Sequence, residues 1–248
     1  MINGYFIQNL DDKSKEILNT KYPLFSENEY KRRIALLEDI LNQKKLDKII
    51  IYEAIGSGSA MQYFTGWHTT QEALAEINSG EKINLYVEHY NHLPMAETLI
   101  NESTNLYWGE RMLSQKIFPK MIDSLGKDST IGIIGRLPYS YIKQIQEKNI
   151  KVIDVFSDYN LMRSIKSDEE LSWLKIAAAL TDEGISSLTT NLKPGLNEHE
   201  MSQITQSGYL KHGGHKIINF FGITNMDHSD NCVPYQYTSN KTITKDDI

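Results

Sequence analysis

The residues of this chain best equipped for chemistry are scattered, and each has an ordinary explanation beside the reactive one. Asp227, His228 and Asp230 crowd one short stretch. Carboxylate and imidazole both ligate divalent ions, and a histidine that titrates near neutral pH suits a general base; a solvated polar loop has the same composition. Glu88-His89-Tyr90-Asn91-His92 carries two histidines three positions apart. On a helix that spacing gives a shared face, but the segment follows an expected strand, so a polar loop at a strand end is the simpler reading. Gly56-Ser57-Gly58-Ser59 follows a strand as phosphate-cradling loops do, yet it lacks both the third glycine of a dinucleotide loop and a Gly-Lys-Ser/Thr. It reads as a flexible connection. His212-Gly213-Gly214-His215 reads as a helix stop, since glycine tolerates the left-handed conformation of a C-cap. Cys232 has no basic neighbour in sequence to activate it and reads as a small, half-buried hydrophobe.

The elements that must position these residues are legible in outline. A length of 248 residues suits two domains, and 40% hydrophobic with 23% charged residues is an ordinary globular composition. Ser26 caps a helix before Glu29, with Ile34, Leu37, Ile40 and Leu41 at helical spacing. Lys48-Ile49-Ile50-Ile51-Tyr52 is the short apolar run of a buried strand. Further strands are expected at 83–87, 131–134 and 152–155, with helices at 94–101, 111–124 and 140–148. Strands alternating with helices imply an α/β unit with a mainly parallel sheet covered on both faces. Phe156 to Arg163 reads as a crossover. A long helix then begins with Asp168, Glu169 and Glu170 in its first turn and Leu171, Leu174, Ala177 and Leu180 on its apolar face. Lys193-Pro194-Gly195 breaks the chain, Asn197 caps a second helix to about Leu210, and Gly213-Gly214 ends it.

Several function classes fall away. A net charge of −6 and a pI near 5.7 provide no phosphate-neutralising surface, so nucleic acid is not an expected partner. Residues 1–10 lack the basic and apolar regions of a secretory signal, and no stretch approaches the ~20 apolar residues of a membrane span. No membrane role is expected. A single cysteine excludes an internal disulfide and a cysteine-based zinc cluster, which suits a cytoplasmic location.

The run Leu161-Met162-Arg163-Ser164-Ile165-Lys166-Ser167-Asp168-Glu169-Glu170, a helix of small residues, and then Leu192-Lys193-Pro194-Gly195-Leu196-Asn197-Glu198-His199-Glu200 stand in a definite order, followed by Gly-Gly and a phenylalanine strand. That ordered set resembles the start of the catalytic domain in Xaa-Pro aminopeptidases, prolidases and creatinases. Upstream, Met61-Gln62-Tyr63-Phe64-Thr65-Gly66-Trp67 is similar to the Tyr-Leu-Thr-Gly segment of that family's N-terminal domain. The resemblance runs from about Ser26 onward. It implies a creatinase/prolidase-like N-terminal domain over 1–160 and an incomplete pita-bread domain, of α+β type, over 161–248. It also implies hydrolysis of peptide bonds next to proline, a small peptide substrate for the full-length form, and a homodimer.

Two divalent metal ions, such as Mn or Co, serve the full-length relatives through two aspartates, a histidine and two glutamates that follow a Gly-Asp turn. The matching turn here is Lys245-Asp246-Asp247-Ile248, with Asp in place of Gly. No residue of the chain aligns with the five ligands, so no metal or other cofactor is expected in this chain and the chain as given is expected to be inactive. The helix faces that strands would cover are expected to need another surface. The family also carries a histidine before the Gly-Asp turn. An ungapped count puts that slot at Tyr235, and His228 reaches it through one inserted segment; these two are the candidate catalytic residues. A creatinase-like, metal-independent hydrolase of a small C–N substrate is the first alternative. A non-catalytic dimerisation or interaction module is the second.

Overall fold

The computed structural model describes residues 5–229 and 233–248. In chain order the elements are α1 (Tyr5–Gln8), α2 (Asp12–Asn19), α3 (Glu27–Gln43), β1 (Lys48–Ala54), α4 (Ala60–Thr65), β2 (Glu72–Ile77), β3 (Ile83–Val87), α5 (Leu93–Leu99), β4 (Thr104–Trp108), α6 (Phe118–Asp123), β5 (Thr130–Ile134), α7 (Tyr139–Glu147), β6 (Lys151–Asp154), α8 (Phe156–Met162), α9 (Asp168–Asn191) and α10 (Glu198–Leu210). A 3₁₀ turn at Tyr90–His92 precedes α5 and a π-helical turn at Leu113–Ile117 precedes α6. Among the described residues no helix is long and apolar enough to cross a membrane.

One compact unit is Leu24–Ser167. Its six-stranded sheet runs β4-β3-β2-β1-β5-β6. The pairs β1–β5, β5–β6 and β3–β4 are parallel, while β2 runs antiparallel to both β1 and β3. The mixed α/β architecture, with a mostly parallel sheet and flanking helices, is that expected from the alternating pattern. The run Ile49-Ile50-Ile51 is fully buried because β1 is covered on both faces. Successive side chains point to opposite faces: Ile49 and Ile51 pack with Leu37, Leu41 and Phe64, while Ile50 and Tyr52 pack with Phe118, Ile122 and Tyr141.

Two strands and two helices of this unit, the short α4 among them, escaped the sequence reading. β2 is Glu-Ala-Leu-Ala-Glu-Ile, a composition that favours helix and is overridden by its two strand neighbours. β4 lies at the sheet edge with Tyr107 and Trp108 partly exposed, so it shows no apolar run. The segment expected as a crossover, 156–163, forms α8, whose Tyr159 is buried against Tyr63 and Phe64.

α3 starts as expected, with Ser26 Oγ accepting from Glu29 N at 3.3 Å. Its buried polar core is a guanidinium: Arg33 is 1% exposed, donates Nε to Glu29 Oε1 (2.7 Å) and Nη1 to Tyr63 O (3.0 Å), and stacks 3.8 Å from the Phe25 ring and 4.0 Å from the Tyr63 ring. Burial alone would raise the Glu29 pKa, but hydrogen bonds from Arg32 and Arg33 outweigh it and hold the carboxyl below its ordinary value.

The second unit groups Asp168–Ile248 with the described part of Met1–Pro23. Residues 5–23 group with this unit and not with the α/β unit. They pack on α9 instead: Phe6 N and Ile7 N donate to the buried Glu183 Oε1 at 2.7 and 3.1 Å, and Lys175 pairs with Asp11 at 2.8 Å. The buried face of α9 holds Ile176, Ala179, Glu183 and Ser187, whereas Leu171 and Leu174 of its apolar stripe are about half exposed, at 46% and 51%. α10 opens with a capping box, Asn197 Oδ1 accepting from Glu200 N and Glu200 Oε2 from Asn197 N. Beyond it the expected phenylalanine strand forms no ladder among the described residues, only the single bridge Phe221↔Tyr235.

Two outcomes test this packing. Gly66 ends α4 at φ +88°, and a Cβ there would lie 2.3 Å from Leu99 O; Gly66→Ala is expected to lower urea stability by at least about 2 kcal/mol. Because the folded Glu29 pKa lies below the ordinary 4.5, its ion pairs stabilise the fold above that pH and are lost as pH falls through it. In an acid titration followed by circular dichroism, Glu29→Gln should therefore be less stable than wild type at pH 7, with the gap closing below pH 4.5.

Candidate functional site

A polar recess of the α/β unit lies where β3 and β4 end. After Val87 the chain enters the 3₁₀ turn Tyr90–His92, and Pro94 then starts α5. In such a turn residues three apart eclipse, so His89 and His92 come together with ring centroids 5.2 Å apart, edge to face. Loop and turn compositions are alike, so sequence left the shared face undecided. His92 Nδ1 is 2.7 Å from Thr70 Oγ1, and His89 Nε2 stands 4.0 Å from Glu88 Oε2.

The facing wall comes from the end of β4. Gly109 N donates to Val87 O at 2.7 Å and Arg111 N to Glu88 O at 3.3 Å. Glu110 and Arg111 both adopt positive φ, 56° and 54°. Glu110 is engaged by Lys116 at 2.5 Å, which holds its carboxyl below the usual range. Trp108 Nε1 donates to Glu88 O, and its ring meets Tyr90 edge to face at 5.3 Å. The result is an open cavity of about 420 Å³ lined by Thr70, Gln71, His89, Asn91, His92 and Arg111. Its chemistry is that of hydrogen-bond donors around one guanidinium. Arg111 was not among the residues that sequence singled out, because a lone surface arginine carries no spacing signal.

The C-terminal candidates belong to the second unit. His228 is exposed, in the stretch whose ends are joined at the Phe221↔Tyr235 bridge. Tyr235 N donates to Phe221 O at 3.1 Å, and its side chain is exposed. Asp227 N donates to Asn225 Oδ1 at 2.9 Å, a local turn. Asp230 and Cys232 lie outside the described residues. Among the described residues no three His, Cys, Asp or Glu side chains come together to hold a metal ion. The donor set for a carboxylate-held metal pair is thus not met by them.

The final turn is nonetheless ordered by its own polar groups. Thr244 N and Oγ1 donate to Asp247 Oδ2 at 2.8 Å, lowering the Asp247 pKa, and Thr224 and Ile248 exchange backbone bonds. Gly56–Ser59 behaves as a connector: Ser57 Oγ accepts from Ala54 N and donates to Ala54 O.

No protein-family model matches the chain. It is similar to the Xaa-Pro dipeptidase of Pyrococcus furiosus, 23% identical over 223 residues that make up 88% of this chain and 59% of that protein. In structure it is similar to the prolidase from Pyrococcus horikoshii, with a TM-score of 0.66 and 20% identity over 87% of this chain and 58% of that one. It is also similar to the N-terminal domain of the FACT complex subunit SPT16 from chickpea, with a TM-score of 0.61 and 12% identity over 88% of this chain. The chain spans about three-fifths of the lengths of the peptidases it matches. At these identities the likeness establishes the fold.

Thr70→Val removes the bond that pins His92. The fold is expected to lose no more than about 1.5 kcal/mol, while the His92 ring-nitrogen NMR shifts should move from those of one tautomer to a mixture. Unchanged shifts would mean that Thr70 does not orient the ring.

Proposed function

We propose that this chain is part of a hydrolase of the Xaa-Pro dipeptidase and aminopeptidase type, acting on peptide bonds next to proline in its full-length form. The observation that carries this reading is the similarity to an Xaa-Pro dipeptidase across 88% of the chain, joined to the same fold at a TM-score of 0.66. The ordered motifs from Arg163 to Glu200 add to it. In this reading residues 1–160 correspond to the creatinase/prolidase-like N-terminal domain and 161–248 to the opening of a pita-bread domain. The full-length protein is a cytoplasmic homodimer that takes small peptides.

Such chemistry depends on a metal pair ~3.5–4 Å apart that activates a bridging water, Mn or Co being the ions we would supply. Among the described residues no three suitable donors come together; in this reading the chain as given does not turn over substrate, and the assay below tests it. In this reading His228, or Tyr235 in its place, would serve on the substrate side of that metal pair. The half-exposed Leu171 and Leu174 are consistent with a helix pair that packs beneath further strands.

A second reading has a specific observation in its favour. The same fold occurs in the N-terminal domain of a FACT complex subunit, which supports reading the unit as a non-catalytic dimerisation or interaction module. A creatinase-like, metal-independent hydrolase is the third, disfavoured by Tyr235 in the slot where that chemistry uses histidine.

The test is an assay of the chain with Ala-Pro and Mn²⁺. No hydrolysis is expected, whereas the chain joined to the remaining two-fifths of the Pyrococcus furiosus Xaa-Pro dipeptidase should cleave the substrate. Turnover by the short chain would overturn the inactive reading. A folded but inert chimera would favour the interaction module.

A further inference from the structure

We propose that the open cavity at the ends of β3 and β4 binds an oxyanion group, carboxylate or phosphate, carried by a small molecule, with Arg111 as its principal ligand. The inference stands on the geometry of the α/β unit and does not rest on the peptidase reading.

Four observations converge on it. First, among the described residues no carboxylate pairs with the Arg111 guanidinium: Glu110, the acid next to it, is taken by Lys116 at 2.5 Å. Arginine offers a planar fork of donors matched to carboxylate and phosphate. Second, two successive residues with side chains, Glu110 and Arg111, hold φ of 56° and 54°. Each such residue costs of order 1–3 kcal/mol and persists where the surroundings over-determine it, which is typical of ligand-binding segments. Here the surroundings are visible: Gly109 is bonded to Val87 O and Arg111 to Glu88 O, and a Cβ at Gly109 would lie 2.4 Å from a Leu113 methyl. The strand end is thus pinned just before and within the strained pair, and Arg111 is delivered to the cavity wall.

Third, the opposite wall is made of groups that donate. His92 is oriented by Thr70 at 2.7 Å; when the threonine hydroxyl donates to Nδ1, the Nε2–H is left to donate. His89, Gln71 and Asn91 supply further N–H groups around the same space. Glu88 is an opposing charge, 4.0 Å from His89 Nε2. Fourth, about 420 Å³ exceeds what a bare anion fills, since a water occupies ~30 Å³, so the cavity has room for the body of the molecule that carries the charge. Among the described residues no three His, Cys, Asp or Glu side chains converge to hold a metal ion.

The experiment is a ¹H–¹⁵N NMR titration of the intact chain with acetate, inorganic phosphate and Ala-Pro in parallel. Saturable shifts at Thr70, Gln71, His92 and Arg111 with a Kd of about 1 mM or tighter are expected for at least one probe, and the ranking of the three distinguishes carboxylate, phosphate and peptide as sources of the group. Arg111→Gly relieves the strained φ, so it should fold at least as well as wild type while weakening binding at least tenfold. Arg111→Lys, a point charge without the fork, should fall between the two. No saturable shift from any probe, or equal affinity in Arg111→Gly, would overturn the proposal.

Discussion

The α/β unit depends on β1 being locked between an antiparallel and a parallel neighbour. Its three isoleucines are fully buried, each contributing roughly 1.5–3 kcal/mol relative to exposure, and they feed the cores on both faces of the sheet at once. The first residue of the strand adds a polar constraint. Lys48 is 4% exposed and pairs with Glu76 of β2, while its Nζ also donates to Met121 O at 2.7 Å. A buried ion pair of this kind is weak evidence for net stability, but losing one partner leaves an uncompensated charge. A one-residue slip of β2 against β1 would move Glu76 to the other face of the sheet, so the pair defends the register Ile50↔Glu76.

From that register the polar recess follows. Because β2 runs against β1 and β3, the residues just before β2, Thr70 and Gln71, lie at the same end of the sheet as the segments that leave β3 and β4. The parallel pair β3–β4 sends both of its exits to that end, one into the histidine turn and the other into the strained Glu110–Arg111 step. Ligands of α/β sheets commonly sit beyond the carboxyl ends of parallel strands, where chain exits supply side chains that no ladder needs. The recess is an instance built by three separate segments.

Legibility in the sequence tracked how local the cause was. α3, α7 and α10 were readable because a cap or an apolar stripe lies within the element itself; the Asn197–Glu200 box is a four-residue motif that forms as expected. β1, β3 and β5 were readable from apolar runs. β2 was not, since alanine and glutamate take strand geometry there only because two neighbours impose it. α8 was hidden by its position between a strand and a long helix, and the N-terminal helices carry no mark that they pack on α9. His89 and His92 were noticed but not paired, because a loop was expected there and the 3₁₀ turn that makes their three-residue spacing converge was not.

The sequence by itself determined the alternation of strands and helices, the resemblance that runs from Ser26 onward, and the helix boundaries that caps and glycines mark, because these are encoded within a few residues of where they act. Tertiary structure alone decided the antiparallel insertion of β2, the docking of the helices α1 and α2 on α9, and the meeting of Thr70, His92 and Arg111. Those depend on hydrogen bonds and packing between residues far apart in the chain, and such partners leave no periodicity behind.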